Sequence, residues 1–297
     1  MSDKKMHENE HDIDESLVKQ LLSTQFPQWA KLPISQVKSD GTVHAIYRLG
    51  SDMCVRLPRI PEVDHQIENE QRWLPQLAPL LPLAIPVPLG KGNPHENYPW
   101  HWSVYRWLEG ENTFIEPIED LKQAAIDLAQ FLNALHLISP IGGPLSQRSG
   151  PLATQDSETR DAIKSLHGVV DTDVITAIWE ECLKAPVWDK PPVWIHGDLL
   201  PANLLSHHDR LSAIIDFGLF GIGDPACDLI PAWSTFTAST RDIFRSALAI
   251  DDATWMRGRG WALSIGLIIL PYYKNTNLGL YAVGERMVRE VLADSSF

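Results

Sequence analysis

Three polar residues in the second half of the chain have the types and spacing for proton and metal chemistry. Asp198 follows an apolar stretch, Asn203 stands five residues later, and Asp216 ends a second apolar run. A carboxylate such as Asp198 can accept or orient the proton of a hydroxyl group. The Asn203 amide oxygen and the Asp216 carboxylate are hard ligands that suit Mg²⁺, which keeps several waters and binds few protein groups. The pattern predicts a hydroxyl-activating carboxylate beside a magnesium site.

Turn formation and a metal hydrolase are two alternatives that the same residues leave open. Asp and Asn are common in turns, so each residue alone indicates no chemistry. Histidines stand nearby, and a metal hydrolase would use His196, Asp198, His207 and Asp216. No predicted helix carries the His-x-x-x-His spacing of zinc hydrolases, which disfavours that hypothesis. The turn between the two apolar runs, which holds His207 and His208, is better interpreted as a solvated loop.

The elements that position these residues are short strands and a helix start. Apolar runs at 193–195 and 211–215 predict two strands, and Asp224-Pro225 predicts the N-terminus of a helix that continues through Trp233. The surrounding sequence has helical periodicity. It predicts helices at 120–137, 159–167, 172–183, 240–248, 253–270 and 280–292.

The N-terminal third predicts a small sheet with two helices. Strands at 43–48 and 53–57 flank a four-residue hairpin connection, and a later strand spans 100–108. Helices are expected at 14–26, with Asp14 as the N-cap, and at 62–77. Several prolines then exclude a long helix before the later strand pair.

Together these elements predict an α+β fold in two lobes, with a β-rich N-lobe and a larger helical C-lobe. Residues 1–12 are polar and charged and are expected to be disordered. We expect the N-lobe at 13–110 and the C-lobe at 111–297, with a small-ligand cleft between them.

The composition and net charge of the chain indicate which classes of binding partner to expect. The chain has 297 residues and a net charge of −13, which argues against nucleic acid and is compatible with a cationic substrate or with simple solubility. Cys54, Cys182 and Cys227 are too few and too scattered for disulfides or zinc and are expected to be small buried side chains. The sequence has no apolar run that could span a membrane and a polar N-terminus, so we expect a cytoplasmic protein without membrane partners.

The motif His196-Gly-Asp198-x-x-x-x-Asn203, followed by Ile-Asp216-Phe-Gly, resembles the aminoglycoside phosphotransferase family. These enzymes are relatives of the protein kinases in which Gly stands where kinases have Arg. The resemblance covers roughly residues 20 to 292. It extends over Val55-Arg-Leu-Pro58, Glu70-x-x-Trp73-Leu74, Trp107-Leu-Glu-Gly110 and Gly223-Asp-Pro-Ala-Cys-Asp-Leu229.

The resemblance implies a protein-kinase-like fold and Mg²⁺-dependent transfer of the γ-phosphoryl group of ATP or GTP. The acceptor would be a hydroxyl of an antibiotic, either an aminoglycoside or a macrolide, or of a similar metabolite. Asp198 would be the catalytic carboxylate, and His196 would fix the loop by hydrogen bonding rather than react. Asn203 and Asp216 would hold Mg²⁺. A catalytically inactive nucleotide- or ligand-binding protein of the same fold is the alternative.

The resemblance also implies nucleotide contacts in the N-lobe. The basic strand residue would be Arg56, where a Lys is usual, with Glu70 as its partner. The turn over the phosphates carries a single glycine rather than a Gly-x-Gly-x-x-Gly motif. The predicted nucleotide-binding residues are Gly41, Thr42, Arg56, Glu70, Trp107, Leu108 and Glu109.

The acceptor site is expected near the C-terminal helices. Candidate residues are Asp228, Trp233, Tyr272, Tyr273 and Glu285. The alternative for each is structural: Asp228 would cap or brace the loop, and the aromatic residues would belong to the core. An aminoglycoside would need several carboxylates, whereas a macrolide would need a large apolar pocket. The eleven Trp residues and the apolar helix at 261–271 favour the macrolide.

Overall fold

The computed structural model describes residues 11–37, 43–61 and 64–294. The chain divides into two compact units, which we name the N-terminal unit (Met1–Pro79 with Ala84–Glu109) and the C-terminal unit (Leu80–Leu83 with Gly110–Phe297).

The N-terminal unit contains a five-stranded sheet whose order is β1-β2-β3-β5-β4, with antiparallel neighbours throughout. Its helices and strands are α1 (Glu15–Gln25), β1 (Ile34–Gln36), β2 (His44–Leu49), β3 (Met53–Pro58), α2 (Asp64–Leu77), β4 (Pro88–Gly92) and β5 (Trp102–Arg106). The β2–β3 hairpin turns through Gly50, whose φ of +62° favours glycine.

The first helix begins where the sequence predicts it. The Asp14 carboxylate accepts the backbone N–H of Leu17 at 2.8 Å and so caps α1. The buried face of α1 joins a hydrophobic core with β2, β3 and β5, in which Tyr47, Val55 and Trp102 are almost completely buried. This packing fixes the sheet that carries Arg56.

The C-terminal unit is mainly helical, with short strands in its first half. Its helices and strands are β6 (Glu111–Asn112), α3 (Leu121–Leu137), α4 (Asp156–Ser165), α5 (Thr172–Leu183), β7 (Val193–Ile195), β8 (Leu204–His207), β9 (Arg210–Ile214), β10 (Gly221–Gly223), α6 (Pro231–Ser234), α7 (Ala238–Ala247), α8 (Asp252–Tyr273) and α9 (Leu278–Ala293). β6, β8 and β9 form one antiparallel sheet, and β7 pairs with β10. The predicted α+β fold class is confirmed.

One predicted helix is wrong. The helix expected from Asp224 through Trp233 is instead a 3-10 segment at Pro225–Leu229 and the single turn of α6. Asp224 is the N-cap as predicted, since its carboxylate accepts the N–H of Ala226. Pro231 has no N–H for the helical ladder and its ring clashes with the preceding turn, which separates the two pieces.

The tryptophans contribute to the cores of both units. Trp102, Trp179, Trp194, Trp233, Trp255 and Trp261 are fully buried. The apolar part of α8 is also almost wholly buried among the other helices. The Trp count and this helix are therefore explained by core packing, and they no longer favour a macrolide. In the described ranges, no helix combines the length and the apolar character that crossing a membrane requires.

Candidate active site

Residues 196–203 form a loop between β7 and β8, which we call the 196–203 loop. Its second residue, Gly197, has φ of +83°, a conformation that L side chains rarely adopt. A Cβ at this position would lie 3.0 Å from the Leu219 carbonyl oxygen. Both the backbone conformation and the close approach of a neighbouring carbonyl explain why glycine precedes Asp198.

His196 is fully buried, and both of its ring nitrogens are used within the site. The backbone N–H of Asp198 donates to Nδ1 at 3.1 Å, so Nδ1 is the unprotonated nitrogen. Nε2 then carries the proton and donates to the Ile215 carbonyl at 3.0 Å. The ring also packs edge-on against Phe217. This geometry supports a role in fixing the loop rather than in proton transfer.

Asp198 and Asn203 lie side by side. The Asn203 Nδ2 donates to the Asp198 carbonyl at 2.8 Å and to Asp198 Oδ2 at 3.1 Å. Asp198 keeps 24% of its side chain exposed, whereas Asn203 is 8% exposed. The carboxylate is therefore both oriented by the amide and accessible to a ligand. The amide oxygen of Asn203 is the atom that it can offer to a cation.

Asp216 follows β9 and lies at the start of a 3-10 turn. The preceding residue, Ile215, donates its N–H to the Asn203 carbonyl at 2.9 Å, which brings the two segments together. Asp216 has φ of +63°, an unusual value for a residue other than glycine. Such backbone strain tends to occur at functional sites. The structure therefore brings Asn203 and Asp216 into one neighbourhood with Asp198.

Asp228 stabilises the 196–203 loop through the backbone of the loop. Its side chain is fully buried and accepts the N–H groups of His196 at 2.9 Å and Gly197 at 2.7 Å. His136 Nε2 lies 3.9 Å from the same carboxylate. Asp228 was predicted as an acceptor-site residue, but a side chain without exposed surface supports the loop instead.

One charged residue beside Asp198 is not part of the sequence-based prediction. Arg148 Nη2 lies 3.4 Å from Asp198 Oδ1. Arg148 belongs to the Pro- and Gly-rich connection between α3 and α4, fifty residues before Asp198. Neither its sequence context nor its spacing signals this contact, because the contact arises from tertiary packing.

In the N-terminal unit, Arg56 is held by a network of buried side chains. Its Nη1 donates to Glu70 Oε1 at 2.8 Å, and its Nη2 lies 3.2 Å from His44 Nδ1. The Tyr105 hydroxyl donates to the other Glu70 oxygen. Burial and the Glu70 carboxylate raise the pKa of Tyr105 well above its usual range, so Tyr105 stays a hydroxyl donor. The predicted Arg56–Glu70 pair is present, and His44 and Tyr105 are additional members.

The other predicted nucleotide residues have different surroundings. Gly41 and Thr42 lie outside the described residues. Trp107 donates its backbone N–H to the Asp52 carbonyl at 2.8 Å, and the Arg48 guanidinium stacks over its ring. Leu108 is half-buried and Glu109 is exposed; Glu109 pairs with Arg48 at 3.2 Å.

The remaining acceptor candidates are not brought to Asp198 by any contact described in the structure. Trp233 is buried in the core, where its indole N–H donates to Asp294 and its ring packs on Trp255. Tyr272 is exposed and Tyr273 half-buried at the end of α8, and Glu285 is exposed on α9.

The described residues contain no group of three or more His, Cys, Asp or Glu side chains that could hold a metal ion. The predicted metal pair of Asn203 and Asp216 is not such a group, because it has one carboxylate and one amide. The cysteines are not activated nucleophiles. Burial raises the pKa of Cys54 to about 11 and of Cys182 to about 12.

The model of the phosphotransferase enzyme family matches residues 34–261, about three quarters of the chain. The chain belongs to this family. The match confirms both the suspected relationship and the predicted enzyme class, a phosphotransferase. It spans the Arg56 network, the 196–203 loop, Asp216 and Asp228. Comparison with curated protein sequences finds no match.

Solved structures of phosphotransferases share the fold. The wild-type aminoglycoside 2'-phosphotransferase-IIIa in its GDP complex is 19% identical, with a TM-score of 0.74, over 96% of this chain and 100% of that chain. The GDP and kanamycin complex of APH(2")-IIIa is 18% identical, with a TM-score of 0.73, over 94% and 99%. The macrolide 2'-phosphotransferase MphH from Brachybacterium faecium is 19% identical, with a TM-score of 0.62, over 93% and 97%. At these identities the likeness establishes the protein-kinase-like fold.

Proposed function

We propose that this phosphotransferase is a small-molecule kinase, which transfers the γ-phosphoryl group of ATP or GTP to a hydroxyl group in a Mg²⁺-dependent reaction. The observation that carries the proposal is the pairing of Asp198 with Asn203, in which the amide orients a carboxylate that stays accessible. Asp216 lies at the adjoining turn. Phosphoryl transfer depends on positioning and charge neutralisation. Asp198 would supply the positioning of the acceptor, and a cation held by Asn203 and Asp216 would supply the neutralisation. A cytoplasmic location, where nucleoside triphosphates are available, is part of this proposal.

Asp198 acts on the acceptor. Its accessible carboxylate orients the acceptor hydroxyl and takes its proton as the oxygen attacks the γ-phosphorus. The new O–P bond forms while the bond from phosphorus to the β,γ-bridging oxygen breaks, and that oxygen leaves with the nucleoside diphosphate. His196 and Asp228 keep the carboxylate in place by holding the two residues that precede Asp198.

Asn203 and Asp216 fit a magnesium ion. Both offer hard oxygen ligands, and the amide of Asn203 is already turned so that its nitrogen faces Asp198. When bound, the ion would neutralise charge on the nucleotide phosphates.

We assign the nucleotide contacts to residues of the N-terminal unit. Arg56 would bind phosphate oxygens, since a guanidinium fork suits phosphate and its position is fixed by Glu70 and His44. The backbone at Trp107, Leu108 and Glu109 would read the purine edge. The GDP, ADP and ATP named for the phosphotransferases of similar fold support a purine nucleotide as donor.

The acceptor is proposed to be an aminoglycoside, a macrolide or a similar metabolite. The kanamycin and gentamicin complexes and the macrolide 2'-phosphotransferases among proteins of similar fold support these two classes. Tyr272, Tyr273 and Glu285, which keep exposed or half-buried side chains, are the acceptor contacts we propose. The net charge of −13 is compatible with a polycationic acceptor.

The experiment is a phosphorylation screen of purified protein with ATP and GTP across aminoglycosides, macrolides and amino alcohols. Asp198→Ala should abolish transfer and leave Mg²⁺–nucleotide binding intact in calorimetry, whereas Asp216→Ala should weaken that binding. Asp161→Ala is the matched control, because Asp161 is an exposed carboxylate in the same unit, paired with Lys164.

Two outcomes decide against the proposal. Wild-type protein that binds no nucleotide in the presence of Mg²⁺ would contradict it outright. Protein that binds Mg²⁺–nucleotide but phosphorylates no acceptor in the screen would favour the alternative, a catalytically inactive binding protein of the same fold.

A further inference from the structure

Arg148 is held beside Asp198 by a small anchored turn. Ser146 donates its backbone N–H to the Ile222 carbonyl at 3.2 Å and its hydroxyl to the Leu219 carbonyl at 2.6 Å. The same hydroxyl accepts the backbone N–H of Arg148 at 3.0 Å. Leu219 and Ile222 both belong to the segment that follows Asp216. The turn is therefore tied to the proposed metal-binding segment, and the position of Arg148 is fixed relative to it.

The Arg148 guanidinium group lies beside Oδ1 of Asp198, the carboxylate oxygen that Asn203 does not contact. Asn203 occupies Oδ2 of Asp198, and Arg148 Nη2 stands 3.4 Å from Oδ1. Arg148 is 21% exposed, and its Nη1 is buried with no hydrogen-bond partner in the part of the chain that the structure describes. Arg148 therefore makes one long ion pair through Nη2, and its Nη1 has no partner among the described residues.

A fully buried arginine in the same unit is satisfied in a different way. Arg257 makes a bidentate pair with Asp224 at 2.7 and 3.1 Å and also donates to the Pro186 carbonyl. Its donors are used by the protein, as expected for a structural arginine.

A buried donor without a partner is costly. Arg286 also has one, its Nε, but its guanidinium donates to the Thr235 and Phe236 carbonyls, whereas Arg148 lies beside the accessible Asp198 carboxylate. A ligand with several anionic oxygens beside Asp198 would pair with the guanidinium charge through Nη2, the nitrogen that lies beside the accessible Asp198 carboxylate.

We propose that Arg148 is a further catalytic residue, which contacts the phosphoryl group as it moves to the acceptor oxygen. This inference rests on the proposed kinase function. A hydroxyl bonded to Oδ1 would lie about 2.7 Å from that atom, which keeps the acceptor oxygen within about 6 Å of Arg148 Nη2. The transferred phosphorus becomes bonded to that oxygen, so its own oxygens are within reach of the guanidinium.

The charges on Asp198 and on the acceptor oxygen change during transfer, and this change strengthens the contact between Arg148 and the phosphoryl group. Before transfer, Arg148 pairs with the Asp198 carboxylate. During transfer the acceptor O–H bond breaks and its proton neutralises the carboxylate, while the phosphoryl group brings negative charge to the acceptor oxygen. Arg148 can then pair with the phosphoryl oxygens in place of Asp198. An interaction that strengthens towards the transition state raises kcat rather than substrate affinity.

The test compares Arg148→Met and Arg148→Lys with wild-type enzyme. Arg148→Met should lower kcat about 100-fold or more, with the KM for Mg²⁺–nucleotide changed less than threefold, because arginines on transferring phosphoryl groups have effects of this size or larger. Arg148→Lys should regain about tenfold of the lost rate, since it restores the charge without the fork. Arg160→Met is the control, because Arg160 pairs with Asp156 and Glu180 away from the site; its kcat should stay at the wild-type value.

A second readout separates catalysis from structure. Fluoroaluminate with Mg²⁺ and nucleoside diphosphate mimics the transferring phosphoryl group, and its affinity can be measured by tryptophan fluorescence. Arg148→Met should bind this complex at least tenfold more weakly than wild-type protein and bind the nucleoside diphosphate alone equally well. Added methylguanidinium should partly restore the rate of Arg148→Gly.

Results that contradict the role of Arg148 differ from results that contradict the proposed kinase function. If wild-type protein is active and folded Arg148→Met keeps its kcat and its affinity for fluoroaluminate, the inference is overturned and the kinase proposal stands. If wild-type protein neither binds nucleotide nor transfers phosphate, the proposed function fails and this inference with it. If Arg148→Met does not fold, the uncharged Arg148→Gln replaces it: a folded Arg148→Gln protein with wild-type kcat and wild-type affinity for fluoroaluminate would overturn the inference.

Discussion

The two units hold their charged residues by different means. In the C-terminal unit, a loop is held through its backbone by one buried carboxylate, Asp228, which accepts two N–H groups. In the N-terminal unit, Arg56 lies on a strand and is held through its side chain by Glu70, His44 and, indirectly, Tyr105. A strand already has its backbone fixed by the sheet, whereas a loop needs a separate anchor. This difference predicts that loss of the buried carboxylate, which holds two N–H groups of the loop, should be severe. Loss of one member of the shared network around Arg56 should be graded.

Removal of the Asp228 carboxylate gives the largest expected effect. Asp228→Ala leaves the buried N–H groups of His196 and Gly197 without an acceptor, which should lower the free energy of unfolding by about 3 kcal/mol. The displaced loop should lower phosphoryl transfer about 100-fold, because small errors in the position of Asp198 are costly. Urea unfolding and the transfer assay measure the two effects.

Asp228→Asn is the matched variant. It keeps one acceptor oxygen of the same shape, so we expect smaller losses in both measurements. A folded Asp228→Ala protein with wild-type activity would break the comparison, since the loop would then be held by its other contacts.

Members of the Arg56 network should show graded effects on nucleotide affinity. Glu70→Gln removes the charge opposite Arg56 and should weaken Mg²⁺–nucleotide binding about tenfold, or 1.4 kcal/mol. His44→Ala and Tyr105→Phe should each weaken it by less, because the ion pair at 2.8 Å persists. Calorimetric titration provides the affinities.

A double-mutant cycle sharpens this prediction. Glu70→Gln combined with His44→Ala should show a non-additive loss, because both residues contact the same guanidinium. Additive losses would indicate that the two residues hold Arg56 independently, and an unchanged affinity in Glu70→Gln would exclude Arg56 from the nucleotide site.

The smallest effect is expected at an exposed helix cap outside both regions. The hydroxyl and backbone N–H of Thr254, together with Lys190, lower the pKa of Asp251 below its usual 3.8. Asp251→Ala should lower the free energy of unfolding by about 1 kcal/mol at pH 7, with activity unchanged. Because the folded pKa is lowered, this stability is present above pH 3.8 and is lost as the pH falls below it.

Urea unfolding of Asp251→Ala and wild-type protein at pH 7, 5 and 3 measures this difference. Asp252→Ala is the control, because Asp252 is exposed and pairs with Arg245 at the surface, so its effect should stay below about 0.5 kcal/mol. A difference between Asp251→Ala and wild type that does not shrink at pH 3 would contradict the capping account.

Sequence reasoning succeeds in this chain where the signal is local. His196, Asp198 and Asn203 lie within eight residues, and their spacing predicts the loop that the structure contains. Long periodic helices such as α3 and α5 are predicted to within a residue, because an apolar stripe over three or more turns is unambiguous. The strands β6, β8 and β10 are two to four residues long, which is too short for any periodic signal.

Contacts that depend on packing of distant segments could not be predicted. Asp228 braces a loop thirty residues earlier in the chain, and Arg148 reaches Asp198 across fifty residues. A carboxylate within a 3-10 segment and an arginine in a Pro- and Gly-rich connection have no sequence signature for such roles. The burial of Trp233 likewise depends on how α6 packs against α8 and α9, which a tryptophan count does not reveal.

The bonds from His196 and Gly197 to Asp228 have a consequence for hydrogen exchange. Amides in a loop usually exchange quickly with solvent, but these two donate to a fully buried carboxylate on the Pro225–Leu229 segment, which packs against α8. Their exchange should therefore require global unfolding, at the same slow rate as amides in the middle of α8. The residues flanking Asp198 would then open only when the C-terminal core does, so that heating removes the reactive arrangement and the core in one cooperative transition.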